Sequence, residues 1–100
     1  MPPYQRINVA QAKEILKVSK AIFIDIRDRY SYDIGHPEGA INIGEEEIDD
    51  FINNNEKQFP VLVICYHGNN SQMYANYLSK HGFEQVYSID GGYEAWVEEE

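Results

Sequence analysis

The strongest nucleophile by type in this 100-residue chain is Cys65, the single cysteine. It ends the apolar run Val61-Leu-Val-Ile64 and opens the polar stretch Tyr66-His-Gly-Asn-Asn-Ser71. A loop this short between a strand and a helix has to curl, and Gly68, Asn69 and Asn70 are types that tolerate left-handed backbone. Curling turns backbone N–H groups inward above the sulfur. A helix starting near Ser71 adds the positive end of its dipole, so the loop forms a nest for an anion. The first such anion is the thiolate itself, which helix N-termini favour over the thiol. A nucleophile is therefore expected without a histidine base, and the same N–H groups can hold a persulfide or a substrate oxyanion. The plain alternative for a lone cysteine after an apolar strand is a small buried hydrophobe. An inert cysteine, however, does not need a glycine-and-asparagine turn at a helix N-terminus.

Other polar residues fall around this loop. His67 lies within it, placed to orient substrate, to donate a proton, or simply to occupy an exposed turn. His36 and His81, beside Pro37 and Gly82, read as turn and helix-end residues. Asp25 and Arg27 stand at the end of Ala21-Ile-Phe-Ile-Asp-Ile26, on the edge shared with Cys65 if the sheet is parallel; a charged pair there either binds substrate or, as the favoured expectation, braces the loops around the site. Asp90, before Gly91 and Gly92, is expected to cap a helix through the N–H groups of its first turn. One cysteine and scattered histidines make neither an internal disulfide nor a zinc pattern, so no metal and no cofactor is expected.

The elements that must position these residues are legible in the pattern. Asn8 with Gln11 is a capping box, which predicts a helix over Val9 to Val18 that buries Ala12, Ile15 and Leu16. Ala21 to Ile26 and Val61 to Ile64 are apolar on both faces, as in central strands of a sheet covered on both sides. Arg29 to Ile34 predicts a short helix closed by Gly35 and Pro37, and Ala40 to Ile43 a short strand. Glu45-Glu-Glu47 is expected to supply the acidic first turn of a helix that buries Ile48, Phe51 and Ile52. Met73, Tyr74, Tyr77 and Leu78 recur at helical spacing as expected core residues, with Gly82 closing that helix. Gln85 to Ile89 predicts another strand, and Tyr93 to Glu98 a last helix. Strands alternating with helices imply a mainly parallel sheet, in which ligands bind at the carboxyl ends of the strands, where Cys65 sits.

Composition excludes several functions. The formal net charge is −9, and beyond Lys57 only Lys80 is basic, which argues against a nucleic-acid groove or an anionic membrane surface. No apolar run approaches the roughly 20 residues of a membrane span, and the first residues lack the apolar core of a secretory signal, so a cytoplasmic protein is expected.

Four segments in order resemble the rhodanese family: Ile24-Asp-Ile-Arg-Asp28, Gly35-His-Pro-Glu-Gly-Ala-Ile-Asn-Ile43, Cys65-Tyr-His-Gly-Asn69 and Tyr87-Ser-Ile-Asp-Gly-Gly-Tyr-Glu-Ala-Trp96. The resemblance runs from Ile7 to Trp96 and is strongest to small single-domain thiosulfate sulfurtransferases of the GlpE type. It implies a rhodanese-like α/β fold, a five-stranded mainly parallel sheet with helices on both faces, with residues 1–100 as one domain. It also implies that Cys65 takes the outer sulfur of thiosulfate, a small anionic donor, and releases sulfite. Cyanide or a thiol, such as that of a thioredoxin-like protein, then removes the sulfur in a ping-pong scheme. By match to the family loop, Tyr66, His67, Gly68, Asn69, Asn70 and Ser71 bind substrate and surround the persulfide. The alternative is a carrier that accepts a persulfide from a protein partner and has little turnover of its own.

Cysteine phosphatases place an arginine after five loop residues, where its planar fork clamps phosphoryl oxygens. Here that position is Ser71, and no arginine follows Arg29. Many rhodaneses also carry a basic residue in or just after the loop. This chain has Tyr66 and then Ser71-Gln-Met73, so backbone N–H groups and the helix dipole are expected to bind thiosulfate alone.

Overall fold

A computed structural model of the chain describes residues 4–99. In chain order the elements are β1 (Gln5–Ile7), α1 (Val9–Val18), β2 (Ile22–Asp25), α2 (Arg29–Ile34), β3 (Ile41–Asn42), α3 (Ile48–Asn54), β4 (Val61–Ile64), α4 (Asn70–Lys80), β5 (Val86–Ile89) and α5 (Gly92–Glu98). The strands form one five-stranded sheet in the order β1-β5-β4-β2-β3, and every pairing is parallel.

The doubly apolar strands sit at the centre, as their composition requires. Val61, Leu62, Val63 and Ile64 are all 0% exposed. Alternate residues of β4 point to opposite faces: Val61 and Val63 join Ile24, Val86, Ile48, Phe51, Ala75 and Leu78 under α3 and α4, while Leu62 and Ile64 join Phe23, Ile89, Val9, Ala12 and Trp96 under α1 and α5. Each fully buried side chain of this kind contributes roughly 1.5–3 kcal/mol relative to exposure, so the two faces of β4 anchor both layers. The tertiary frame therefore holds most firmly the strand that delivers Cys65.

Local capping follows the sequence at α1. The Asn8 side chain accepts from Gln11 N, and the Gln11 side chain accepts from Asn8 N. At α2, Asp28 accepts from the backbone N–H and the hydroxyl of Ser31, and these bonds lower its pKa. Gly82 follows α4 with φ +102°, the left-handed position expected of it.

Three expectations change. β1 has no counterpart in the sequence pattern, because two of its three residues are polar and exposed; it is a strand through its edge pairing, Gln5 with Tyr87, Arg6 with Ser88 and Ile7 with Ile89. Glu45 to Glu47 do not form the first turn of α3. They make a tight turn in which Glu47 folds its carboxylate back onto Gly44 N, so the acids of the first turn are Asp49 and Asp50. In α4 the buried face is Ser71, Ala75 and Leu78, spaced four and three residues apart. Met73 lies about 200° round from Ala75 at roughly 100° per residue and is 69% exposed, and Tyr77 is partly exposed as well. Those two side chains line an open groove with Glu45, Ile48, Asp49, Asn70 and Tyr74. Among the described residues, no helix is long and apolar enough to cross a membrane.

Candidate active site

Cys65 follows the last residue of β4, at the carboxyl edge of the sheet, and is 4% exposed. Its Sγ lies 3.1 Å from the backbone N of Gly68, which donates to it, and 3.3 Å from Ser71 Oγ. The expected curl is real, and it rests on one residue: Gly68 has φ +94°, whereas no described residue other than glycine has positive φ. Asn69 and Asn70 therefore do not use their tolerance of left-handed geometry. Asn69 is right-handed at the cap position of α4, and Asn70 is its first residue, one position earlier than expected. Because Gly68 alone reverses the chain, the asparagines are free to start the helix, and both side chains face solvent.

Contacts from two sides fix the outer surface of the loop. Gln72 donates from Nε2 to Gly68 O at 2.9 Å, while its Oε1 accepts from the Tyr4 hydroxyl at 3.0 Å. From α5, Tyr93 N donates to Cys65 O at 2.7 Å and Glu94 N to Tyr66 O at 3.3 Å. Loop carbonyls thus take the unpaired N–H groups at the start of α5. This is why the expected cap at Asp90 does not form: the cap residue is Gly91, with no side-chain cap bond, and Asp90 instead accepts from Arg6 Nε at 2.8 Å. The approach of the two segments is very close. A β-carbon on Gly92 would stand 2.4 Å from Cys65 O and 2.5 Å from Tyr66 C and O, and one on Gly68 would stand 2.8 Å from Gly91 N.

Asp25 and Arg27 form a buried ion pair beside the loop. Asp25 is fully buried and takes Arg27 through Nε, Nη2 and its backbone N at 2.8–3.1 Å. Arg27 Nη2 also donates to Gly35 O at 2.7 Å, and the guanidinium lies 4.0 Å from the centre of the Tyr93 ring and 5.4 Å from that of Tyr66. Burial, the largest influence on Arg27, disfavours its charged form, but the hydrogen bonds and charge of Asp25 outweigh it and raise the pKa. The guanidinium holds Tyr66 and Tyr93 in place, and its charge is matched by Asp25.

Of the other loop residues, Tyr66 is half exposed over Arg27, and His67 is exposed with Nδ1 at 3.5 Å from Glu94 Oε2. The structure therefore brings Gly68 and Ser71 to the sulfur, and turns His67, Asn69 and Asn70 outward. His36 and His81 bond the carbonyls of Tyr32 and Tyr77, four residues before each, in the turn and helix-end roles expected of them. Three contributors were not singled out from the sequence: Ser88, Gly92 and Gln72. Ser88 carried one signal, as a small polar residue in the strand run Val86-Tyr-Ser-Ile89. Gly92 carried another, as the second of two successive glycines.

The arrangement is a thiol at a strand end, a glycine N–H aimed at it, and a helix starting beyond. The rhodanese-like domain model matches residues 8–99. The chain belongs to the rhodanese-like family. Among curated relatives it is 44% identical over 96 residues to the thiosulfate sulfurtransferase GlpE of Tolumonas auensis, covering 96% of this chain and 91% of that one. Among solved structures it is similar to a rhodanese-related protein of Thermoplasma volcanium, with a TM-score of 0.82 and 31% identity over 96% of this chain and 93% of that one. A rhodanese-like domain protein of Staphylococcus aureus gives 0.80 and 27% over 92% and 90%. The family match and the structural likeness agree on a rhodanese-like α/β fold, with its parallel sheet between helical layers.

Proposed function

We propose that this chain is a thiosulfate sulfurtransferase in which Cys65 is the catalytic residue. The observation that carries the reading is the Gly68 N–H donating to Cys65 Sγ at 3.1 Å, in a loop that opens α4. The name of the Tolumonas auensis relative supports it and suggests the donor. In the first half-reaction the Cys65 thiolate attacks the outer sulfur of thiosulfate. The new sulfur–sulfur bond forms as the old one breaks, the bonding pair leaves with sulfite, and the negative charge moves to the outer sulfur of the Cys65 persulfide. In the second, a thiolate or cyanide attacks that outer sulfur and the pair returns to Cys65. Both steps conserve charge and need no metal, cofactor or external oxidant. Binding falls to the loop from Tyr66 to Ser71, through backbone N–H groups and the α4 dipole.

The second reading, a persulfide carrier charged by a protein partner, is favoured by one feature: no lysine or arginine lies in the loop, and Arg27 is paired with Asp25. Intact mass separates the two. Incubation with thiosulfate should add about 32 Da, one sulfur at the attacking thiolate, and prior alkylation of Cys65 should abolish the gain. A protein that stays unmodified by thiosulfate, yet takes sulfur from a protein persulfide, is a carrier.

Electrostatics supplies a further expectation. A dianion approaching a chain of net charge −9 meets an opposing field, which salt screens over roughly 10 Å at 0.1 M. The KM for thiosulfate should therefore fall as ionic strength rises from about 20 to 200 mM. A KM that climbs steeply over the same range would mean that fixed positive charge binds the substrate after all.

A further inference from the structure

We propose that Ser88 is a positioning residue for the Cys65 thiolate, acting through the Ser71 hydroxyl. Ser71 Oγ lies 3.3 Å from Cys65 Sγ, and Ser88 Oγ lies 2.8 Å from Ser71 Oγ. Both serines are 0% exposed, so sulfur and hydroxyls form a chain closed to solvent at its inner end. The proposal rests on the reading of Cys65 as the attacking nucleophile and adds a residue that the loop motif does not contain.

The sheet explains how Ser88 reaches this place. In the parallel register Ser88 of β5 stands beside Val63 of β4, whose side chain lies on the α3 and α4 side. Cys65 comes two residues after Val63 and so shares that side by the period of a strand. Ser71, one residue into α4, drops its side chain onto the same spot. Three elements thus converge on one sulfur.

Neither hydroxyl is there for packing. Each buried hydroxyl carries a desolvation cost that its hydrogen bonds only offset, and an apolar pair of the same shape would hold the fold as well. Helical serines also commonly bond back to the carbonyl four residues earlier, and Ser71 instead faces Ser88 and Cys65. What the pair adds is a directed chain of donors. When Sγ carries the negative charge, Ser88 donates to Ser71 and Ser71 donates to the sulfur. Ser88 thereby keeps Ser71 a better donor to the thiolate than a solitary hydroxyl would be.

The test is the rate of Cys65 alkylation by iodoacetamide, measured at pH 5, where the thiol form is favoured, and at pH 10 on the full chain. This readout needs no sulfur donor: if wild type is alkylated but takes no sulfur from thiosulfate, the proposed reaction fails while the role of Ser88 is still measured. In Ser88→Ala the ratio of the rate at pH 10 to that at pH 5 should rise roughly threefold to tenfold, as expected when a donor to a charged group is weakened. Ser88→Thr, which keeps the hydroxyl, should stay within about twofold of the wild-type ratio, and taking the ratio within each protein cancels changes in access. Adding Ser88→Ala to Ser71→Ala should change nothing more, because the two hydroxyls act as one chain. An unchanged ratio in Ser88→Ala, a threonine variant that rises with the alanine variant, or additive effects in the double variant would each overturn the proposal.

Discussion

Gly92→Ala should slow sulfur uptake by Cys65 by about two orders of magnitude, the scale on which a 1 Å misplacement of reacting groups acts. The added methyl would stand 2.4 Å from Cys65 O and 2.5 Å from Tyr66 C and O, about 1 Å inside ordinary contact. Every one of those atoms is backbone of the loop that holds the sulfur, so no side chain can give way instead. Gly92 also has φ +59°, which costs an alanine about 1–2 kcal/mol. The same movement would pull Cys65 O and Tyr66 O from the N–H groups of Tyr93 and Glu94. Gly39→Ala separates strain from displacement, since Gly39 has φ +86° but nothing within 4 Å of the new carbon. It should lower stability and leave the rate alone. Single-turnover persulfide formation, followed by mass for both variants, makes the comparison. A Gly92→Ala rate within twofold of wild type would mean that α5 does not set the position of the loop.

Arg27→Met should remove about 3–5 kcal/mol of stability, the cost of leaving a buried carboxylate without its partner. Against a total of about 5–15 kcal/mol for a domain, that is enough to bring the fold near its threshold. Asp25 is 0% exposed, and its main counter-charge sits in a side chain that is itself 3% exposed. The variant also frees Gly35 O and removes the support beneath Tyr66 and Tyr93, so activity should fall with stability. Removing both charges, as in Asp25→Leu/Arg27→Met, should cost less than the sum of the single losses, because no unpaired charge remains. Urea unfolding of the three variants gives the cycle, and a loss under 1 kcal/mol in Arg27→Met would contradict a buried, mutually dependent pair.

The first effect arises between segments distant in the chain and the second between near neighbours, and this divides what could be read early from what could not. The capping box at Asn8 and Gln11, the four apolar residues before Cys65 and the closing role of Gly82 are local, and each follows from dihedral preference or periodicity. Gly68 belongs with them: a chain that must reverse within the reach of a sulfur needs a residue without a β-carbon. Asp25 and Arg27 are two positions apart, so their pairing at a strand end was also open to inspection.

The errors share another cause. Asp90 is a good cap by type, but the first-turn N–H groups of α5 are taken by carbonyls of Cys65 and Tyr66, more than twenty positions earlier in the chain. Gln5 to Ile7 has no strand pattern, and only the free edge of β5 makes it one. Met73 has an apolar side chain at helical spacing, yet α4 packs on Ser71, Ala75 and Leu78. The amino-acid sequence by itself determined a thiol at the end of a buried strand, with a glycine that turns backbone toward it, because those properties belong to single residues and their immediate neighbours. Only the tertiary structure decided which groups meet that sulfur from outside, Gly92 pressing on the loop and Ser88 reaching Ser71, because parallel strands place residues side by side by register and not by order.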